Sequence, residues 1–398
     1  MNKYWRTDFW YKVVRGITKG IFTKKFNFIS EQVDIKPPFI VLCNHTIDYD
    51  ALLIATAFKE PIHFVMSDHV SSIPVAGKLI KHLVAPIPIT KSTLDAATVK
   101  KMFTVAKNGG ALGLFPEGNK SFSGVMSAIK PSIAKLLKRL NIPVVLYTIE
   151  GGYFSSPRWT KNKRKGYMYG KVKSIIDTDE LANTTEEDLY EKVVKGLRVS
   201  AYEVQAARKI EYIGEDLAKN IESLLYMCPK CNGLATVYGE HNHVKCRNCD
   251  LLGEYDTYGY ISGTPFARLD EWDAWQKEQL VKMDFNKFGD NPIMQDNSFT
   301  IKKKLTNYKN QKMGTYHIAL FKDRLVFTPQ PTKKEKKLNS QPFEITLDQI
   351  AGYGIEGVNG IQLWTKSNDV YRITNEYTVS GLKYVNCICA ITGQKMKF

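Results

Sequence analysis

His45 and Asp50 lie close together directly after the apolar run Phe39-Ile40-Val41-Leu42-Cys43, and Glu117 sits in a Pro-Glu-Gly turn that ends a second run, Ala111-Leu112-Gly113-Leu114-Phe115. An imidazole hydrogen-bonded to a carboxylate can serve as a general base, because the carboxylate sets the ring's tautomer and stabilises the imidazolium that forms. The spacing excludes a single helix, on which residues five apart point about 140° away from each other. The two side chains converge if His45 lies in a strand-to-helix turn and Asp50 opens the helix that follows. Such a pair needs no serine or cysteine of its own, so the nucleophile can be a substrate hydroxyl.

Apolar runs of this length bounded by turn residues read as buried strands of an α/β sheet, and open α/β sheets place their ligands beyond the strand ends. Further strands are expected at Pro61–Met66, Ala85–Ile89 and Ala111–Phe115, with helices at Thr93–Lys107 and Val125–Leu140. Thr184 and Glu187 have capping-box spacing and are expected to open a long helix running to Arg208.

The motifs resemble those of the glycerophospholipid acyltransferases of the 1-acylglycerol-3-phosphate acyltransferase type. Asn44, His45 and Asp50 match the first motif, Asn-His-x-x-x-x-Asp. Phe115 to Gly118 and Ser121 match the third, Phe-Pro-Glu-Gly-Thr-Arg-Ser, with Asn119 and Lys120 in place of Thr and Arg. Ser72-Ile73-Pro74-Val75-Ala76-Gly77, leading to Ile87-Pro88-Ile89-Thr90-Lys91-Ser92, resembles the second motif, with Lys91 where arginine is usual, and Ile142-Pro143-Val144-Val145-Leu146 resembles the fourth. The resemblance implies transfer of a fatty acyl group from acyl-CoA or acyl carrier protein to a lysophospholipid hydroxyl, first of all 1-acylglycerol 3-phosphate. It makes His45 the base and Asp50 its orienter, and assigns Asn44, Lys91, Glu117, Gly118, Lys120 and Ser121 to the acceptor. Lysine offers a point charge rather than a planar fork for phosphate oxygens. Glycerol 3-phosphate or a non-phosphate lysolipid are the alternative acceptors, and a lipid- or nucleic-acid-binding scaffold is the alternative outside enzymes.

The composition fits work at a membrane surface. The chain has 398 residues and a formal charge of +16, which favours anionic partners such as lipid head groups, an acidic carrier protein or nucleic acid. No segment reaches the roughly 20 apolar residues of a transmembrane helix, and no secretory signal is evident. Trp5, Phe9, Val13, Ile17 and Ile21 recur every fourth residue among basic residues such as Lys12, Lys19, Lys24 and Lys25. That is the pattern of a helix lying in an anionic membrane interface, or of one packed on the domain core. The expected location is cytoplasmic, peripheral on the inner face of the cell membrane.

Cys228-Pro-Lys-Cys231 and Cys246-Arg-Asn-Cys249 form two Cys-x-x-Cys knuckles that resemble a zinc ribbon, and four thiolates suit a structural Zn²⁺. Cys43, Cys387 and Cys389 lie in apolar surroundings and read as buried thiols, and His241 and His243 as surface residues. The ribbon lacks a basic-aromatic stripe, which argues against nucleic acid. Beyond it, Leu269–Lys282 reads as an amphipathic helix. Alternating strands broken by Lys322-Asp323-Arg324 and Ser367-Asn368-Asp369, then a final helix, resemble a pleckstrin-homology-like module. Lys333 to Lys337 and the basic stretch Arg158 to Lys165 are candidate anion contacts. The expected fold is thus an α/β acyltransferase domain, a small zinc ribbon, and a β-rich barrel or sandwich with a C-terminal helix. The expected boundaries are 1–28 for the membrane-interface segment, 29–210 for the acyltransferase domain, 222–256 for the ribbon, 265–295 for the connector and 296–398 for the β-rich domain.

Overall fold

The structure, a computed structural model, describes residues 7–67, 86–89, 96–305, 310–335, 338–375 and 379–396. The chain divides into two compact units, Met1–Pro157 with Lys163–Ile213, and Arg158–Asn162 with Gly214–Phe398.

In the first unit, the described strands are β1 (Phe28–Ser30), β2 (Ile40–Cys43), β3 (Ile62–Ser67), β4 (Ile87–Ile89), β5 (Ala111–Leu114), β6 (Val144–Glu150) and β7 (Met168–Ile176). They form one sheet in the order β1-β7-β6-β2-β5-β3-β4. The pairs from β6 through β2, β5 and β3 to β4 are parallel, whereas β7 runs antiparallel to β6. Side chains alternate across a strand. Val41 and Cys43 therefore enter one core cluster with Leu53, Ile54 and Phe58, while Ile40 and Leu42 enter another with Leu137, Val193 and Leu197. Coverage on both faces explains why these strands are continuous apolar runs. Because β2 is central and pairs with β5, the segments that follow these two strands emerge side by side.

The helix α1 (Thr7–Phe26) packs against α2 (Asp50–Ala57). Arg15 on α1 donates to the Thr56 carbonyl at 3.0 Å, and Phe26 is buried. Val13, Ile17 and Ile21 point away and are exposed at 37%, 56% and 55%, so core packing does not account for these three residues of the apolar stripe. Among the described residues no helix is long and apolar enough to cross a membrane.

Several expectations change. The expected helix Val125–Leu140 begins only at Ser132, because Pro131 constrains the backbone before it, and Val125 instead bridges to Ser200. The long helix to Arg208 is two, Glu186–Leu197 and Ala201–Arg208, the second opened by the Ser200 side chain accepting the Glu203 N–H. The cap of the first is Thr185 rather than Thr184. In the basic stretch after the fourth motif, Arg158 and Arg164 are buried, whereas Lys161, Lys163 and Lys165 are exposed. Arg158 donates to the carbonyls of Ile355 and Gly357.

In the second unit, β8 (Val237–Glu240), β9 (His243–Cys246), β10 (Leu252–Tyr255) and β11 (Ile261–Ser262) make a small antiparallel sheet. The helix Leu269–Lys282 follows at the expected bounds. The remaining described strands, β12 (Met294–Lys304), β13 (Asn310–Leu320), β14 (Arg324–Pro329), β15 (Phe343–Thr346), β16 (Ile350–Glu356), β17 (Gly360–Thr365) and β18 (Val370–Asn375), form an antiparallel sheet in the order β15-β14-β13-β12-β18-β17-β16. The helix Gly381–Thr392 packs on β16 and β17. Lys333–Glu335 forms a short turn tied down by buried Glu335, which pairs with Lys312 at 2.5 Å, and Lys336 and Lys337 lie outside the described residues.

Candidate active site

His45 leaves the end of β2 and Asp50 is the first residue of α2, so the strand-to-helix turn brings the two side chains together. Asp50 Oδ2 lies 2.9 Å from His45 Nδ1 and accepts the backbone N–H groups of Thr46 at 2.6 Å and Ile47 at 2.9 Å. Oδ1 accepts the Thr46 hydroxyl at 3.2 Å. Fully buried and surrounded by donors at a helix N-terminus, this carboxylate is held as an acceptor. An acceptor facing Nδ1 puts the ring proton there and leaves the Nε2 lone pair available. The His45 side chain keeps 23% of its surface accessible.

The residues expected to hold the acceptor are placed differently from one another. The Asn44 amide donates to the Ile149 carbonyl at 3.0 Å and accepts the Ile149 N–H at 2.8 Å, which ties β2 to β6, and the residue is only 3% exposed. The Ser121 hydroxyl likewise turns inward, donating to the Val125 carbonyl and accepting the Gly124 N–H, each at 2.8 Å. Gly118 has φ +70°, a conformation that explains glycine in the Pro-Glu-Gly turn without any ligand. Glu117 accepts the His45 N–H and the Ser127 N–H, both at 2.7 Å, one on each oxygen. Lys120 meets the Asp48 carboxylate at 2.5 Å. Lys91 and the second-motif residues 72–77 and 90–92 lie outside the described residues.

Residues 25–150 match the family model described as Acyltransferase. This part of the chain is acyltransferase-like. Among solved structures, the chain is similar to the 1-acyl-sn-glycerophosphate (LPA) acyltransferase, PlsC, from Thermotoga maritima, at 21% identity over 50% of this chain and 79% of that one, with a TM-score of 0.42. It is also similar to the C-terminal domain of an unknown protein from Leishmania infantum, 21% identical over 23% of this chain and 80% of that one, with a TM-score of 0.15. No curated protein matches the chain. His45, Asp50 and Glu117 all fall inside the acyltransferase-like stretch.

Sequence reasoning gave no role to Phe115, whose ring stacks on the His45 imidazole at 4.4 Å between centroids and 20° between planes. Its position beside the Pro-Glu-Gly turn was the available signal. The lining of a recess at His45 includes Asn44, Thr46, Glu117, Ser121, Met126 and Tyr153. Burial pushes the Glu117 carboxyl up to about 8, with Asp50 adding to the rise, against the His45 and Ser127 N–H donors that favour its charge. The unfolded chain would lose this proton near the ordinary value of 4.5, so between 4.5 and about 8 the folded state binds more protons. The contribution of Glu117 to stability is therefore complete below 4.5 and lost as pH rises towards 8. Glu117→Gln, which cannot ionise, is expected to flatten the pH dependence of the melting temperature across that window. A slope identical to that of the parent would remove Glu117 as its source.

In the second unit, Cys228, Cys231, Cys246 and Cys249 converge, with all four Sγ atoms within 4.8 Å of one another. Cys43, Cys387 and Cys389 are buried and separate from this cluster. His241 is exposed and pairs with Asp216 at 2.7 Å, outside the four-sulfur group.

Proposed function

We propose that the chain is a membrane-surface O-acyltransferase that moves a fatty acyl group from acyl-CoA or acyl carrier protein to a lysophospholipid hydroxyl, with 1-acylglycerol 3-phosphate as the first choice of acceptor. The observation that carries this reading is the His45–Asp50 pair, 2.9 Å apart at the end of a central strand inside the acyltransferase-like stretch. His45 Nε2 takes the hydroxyl proton as the acceptor oxygen attacks the thioester carbonyl carbon. The tetrahedral intermediate collapses, the C–S bond breaks, and the departing thiolate takes the proton back from Nε2. Asp50 holds the ring and offsets the charge of the imidazolium between these steps. Lys91 and Lys120 are the proposed phosphate contacts. A phosphate entering beside Lys120 would replace the exposed Asp48 carboxylate as its partner. The test is incubation of the purified protein with phosphorylated and uncharged lysolipids and both donor types, read by mass spectrometry. Absence of any acylated product would end this reading.

Membrane contact through α1 is the second part of the proposal, supported by exposed Val13, Ile17 and Ile21 beside exposed Lys12, Lys19, Lys24 and Lys25. Deleting residues 1–28 would also remove Phe26 and Phe28, which are buried in the domain core, so substitution is the cleaner test. Replacing Val13, Ile17 and Ile21 together by glutamine is expected to weaken binding to anionic vesicles by about tenfold or more. Melting should be unchanged. Equal flotation of parent and variant would exclude the stripe from membrane contact.

The third part is a structural zinc ion on the four cysteines. Thiolates about 2.3 Å from a tetrahedral zinc stand about 3.8 Å from one another, whereas disulfide sulfurs are about 2.0 Å apart. Cys228 and Cys249 lie at 3.6 Å and Cys231 and Cys246 at 3.7 Å, distances that fit the metal. Four thiolates would complete the coordination shell and leave no position for substrate, which limits the ion to a structural role.

A further inference from the structure

The turn after β5 grips His45 in three independent ways. The His45 backbone N–H donates to Glu117 Oε1 at 2.7 Å, the His45 carbonyl accepts the Ser121 N–H at 3.0 Å, and the His45 ring lies flat on Phe115. Phe115 in turn stacks on Phe64, at 5.8 Å and 16°, and Phe64 is only 1% exposed, so this aromatic ladder is rooted in the core. Glu117 is itself fixed from the far side, because its second oxygen accepts the Ser127 N–H.

These contacts do what the Asp50 hydrogen bond leaves undone. One bond at Nδ1 sets the tautomer but allows the imidazole to tilt and swing, since the terminal ring torsion of histidine is broad. A ring closed on one face by Phe115 and a backbone held at both N–H and C=O leave Nε2 a single direction. General-base catalysis depends on that direction, because proton transfer requires hydrogen-bond geometry to the reacting hydroxyl. We infer that Phe115 and Glu117 are positioning residues for His45, acting through the base and its backbone rather than by touching the acyl acceptor. The inference rests on His45 being the general base, and it moves Glu117 from head-group recognition to the construction of the base.

The test uses the full-length protein with Phe115→Leu, Phe115→Tyr and Glu117→Gln. Leucine fills the space without a flat face, and tyrosine restores the stack. Glutamine keeps the shape but turns an amide N–H towards one of the two backbone donors. Phe115→Leu and Glu117→Gln are expected to lower kcat by about 10- to 100-fold, the scale of a small misplacement of a reacting group. KM for donor and acceptor should stay near parental values, and Phe115→Tyr should recover most of the loss. A rise in acceptor KM at constant kcat in Glu117→Gln would overturn the inference, as would unchanged kcat in both Phe115→Leu and Glu117→Gln. Nitrogen NMR of the His45 ring supplies a readout that needs neither turnover nor substrate. The parent should hold one tautomer with Nε2 unprotonated, and Phe115→Leu should show a mixture. A mixed signal in Phe115→Leu alongside an inactive parent would sink the acyl-transfer reading and leave the positioning intact. An active parent whose His45 signal and kcat ignore both substitutions would do the reverse.

Discussion

His45→Ala is expected to reduce acyl transfer by about 10²- to 10⁴-fold, the usual contribution of a general base, with the loss in kcat rather than in lysolipid binding. The fold should survive, because among the described residues the side-chain hydrogen bond of His45 is to Asp50, and its backbone contacts to Glu117 and Ser121 do not depend on the ring. Asp50→Asn separates charge from geometry. An asparagine oxygen can still accept the N–H groups of Thr46 and Ile47 and the proton on His45 Nδ1, while its amide donates to the Thr46 hydroxyl, which Asp50 now accepts from. The packing around α2 is thereby retained, and the negative charge that stabilises the imidazolium is lost. A loss of the same order in kcat, with melting close to the parent, is the expected result. Near-parental turnover in both variants would refute the proposed chemistry.

The sequence carried the parts of the site that depend on local pattern. Apolar runs ended by turn residues located β2 and β5, and the spacing of His45 and Asp50 required the strand-to-helix turn that the structure contains. The roles of Asn44 and Glu117 were not legible, because they are set by backbone groups far along the chain. The partner of Asn44 is Ile149 on a neighbouring strand, and Glu117 reaches back to the His45 N–H. No local periodicity encodes such pairs. The burial of Arg158 was hidden for a similar reason, since a basic run looks solvated throughout until distant carbonyls, here those of Ile355 and Gly357, are found to receive one of its members. Pro131 was a readable breaker that the apolar periodicity from Val125 to Leu140 overrode. The Arg198–Ser200 break is subtler, because Ser200 is an ordinary helix residue until its hydroxyl is seen to accept the Glu203 N–H.

Removal of the metal proposed at the four cysteines should have the largest effect on stability. The strands around it are two to four residues long, and the buried side chains they supply, including Val237, Val244, Tyr255 and Ile261, make too small a core to hold a sheet alone. Apparent zinc-binding free energies in comparable small sites are about 10–16 kcal/mol, and such energy is folding energy where the empty site does not persist. The effect should spread beyond the sheet along a specific path. Cys228 directly follows Tyr226 and Met227, whose N–H groups are both accepted by Gln276 Oε1, and the Met227 carbonyl accepts the Trp272 indole N–H at 2.9 Å. Tyr226 also receives a hydrogen bond from Asn386 on the final helix at 3.0 Å. Freed from the metal, the Cys228 segment would loosen its hold on Leu269–Lys282 and expose Trp272, which is fully buried. The expected results are one zinc per chain in the purified protein, its loss in Cys228→Ser and Cys249→Ser, and a fall in melting temperature with a red shift of tryptophan emission on chelation. Acyl transfer per folded molecule should persist, since His45 and Asp50 bind no metal in the proposed mechanism. Thiol titration after denaturation with chelator separates the metal from its rival: seven reactive thiols are expected, whereas disulfides between Cys228 and Cys249 and between Cys231 and Cys246 would leave three. Zinc-free protein with three titratable thiols and chelator-insensitive melting would replace the ion with two cross-links.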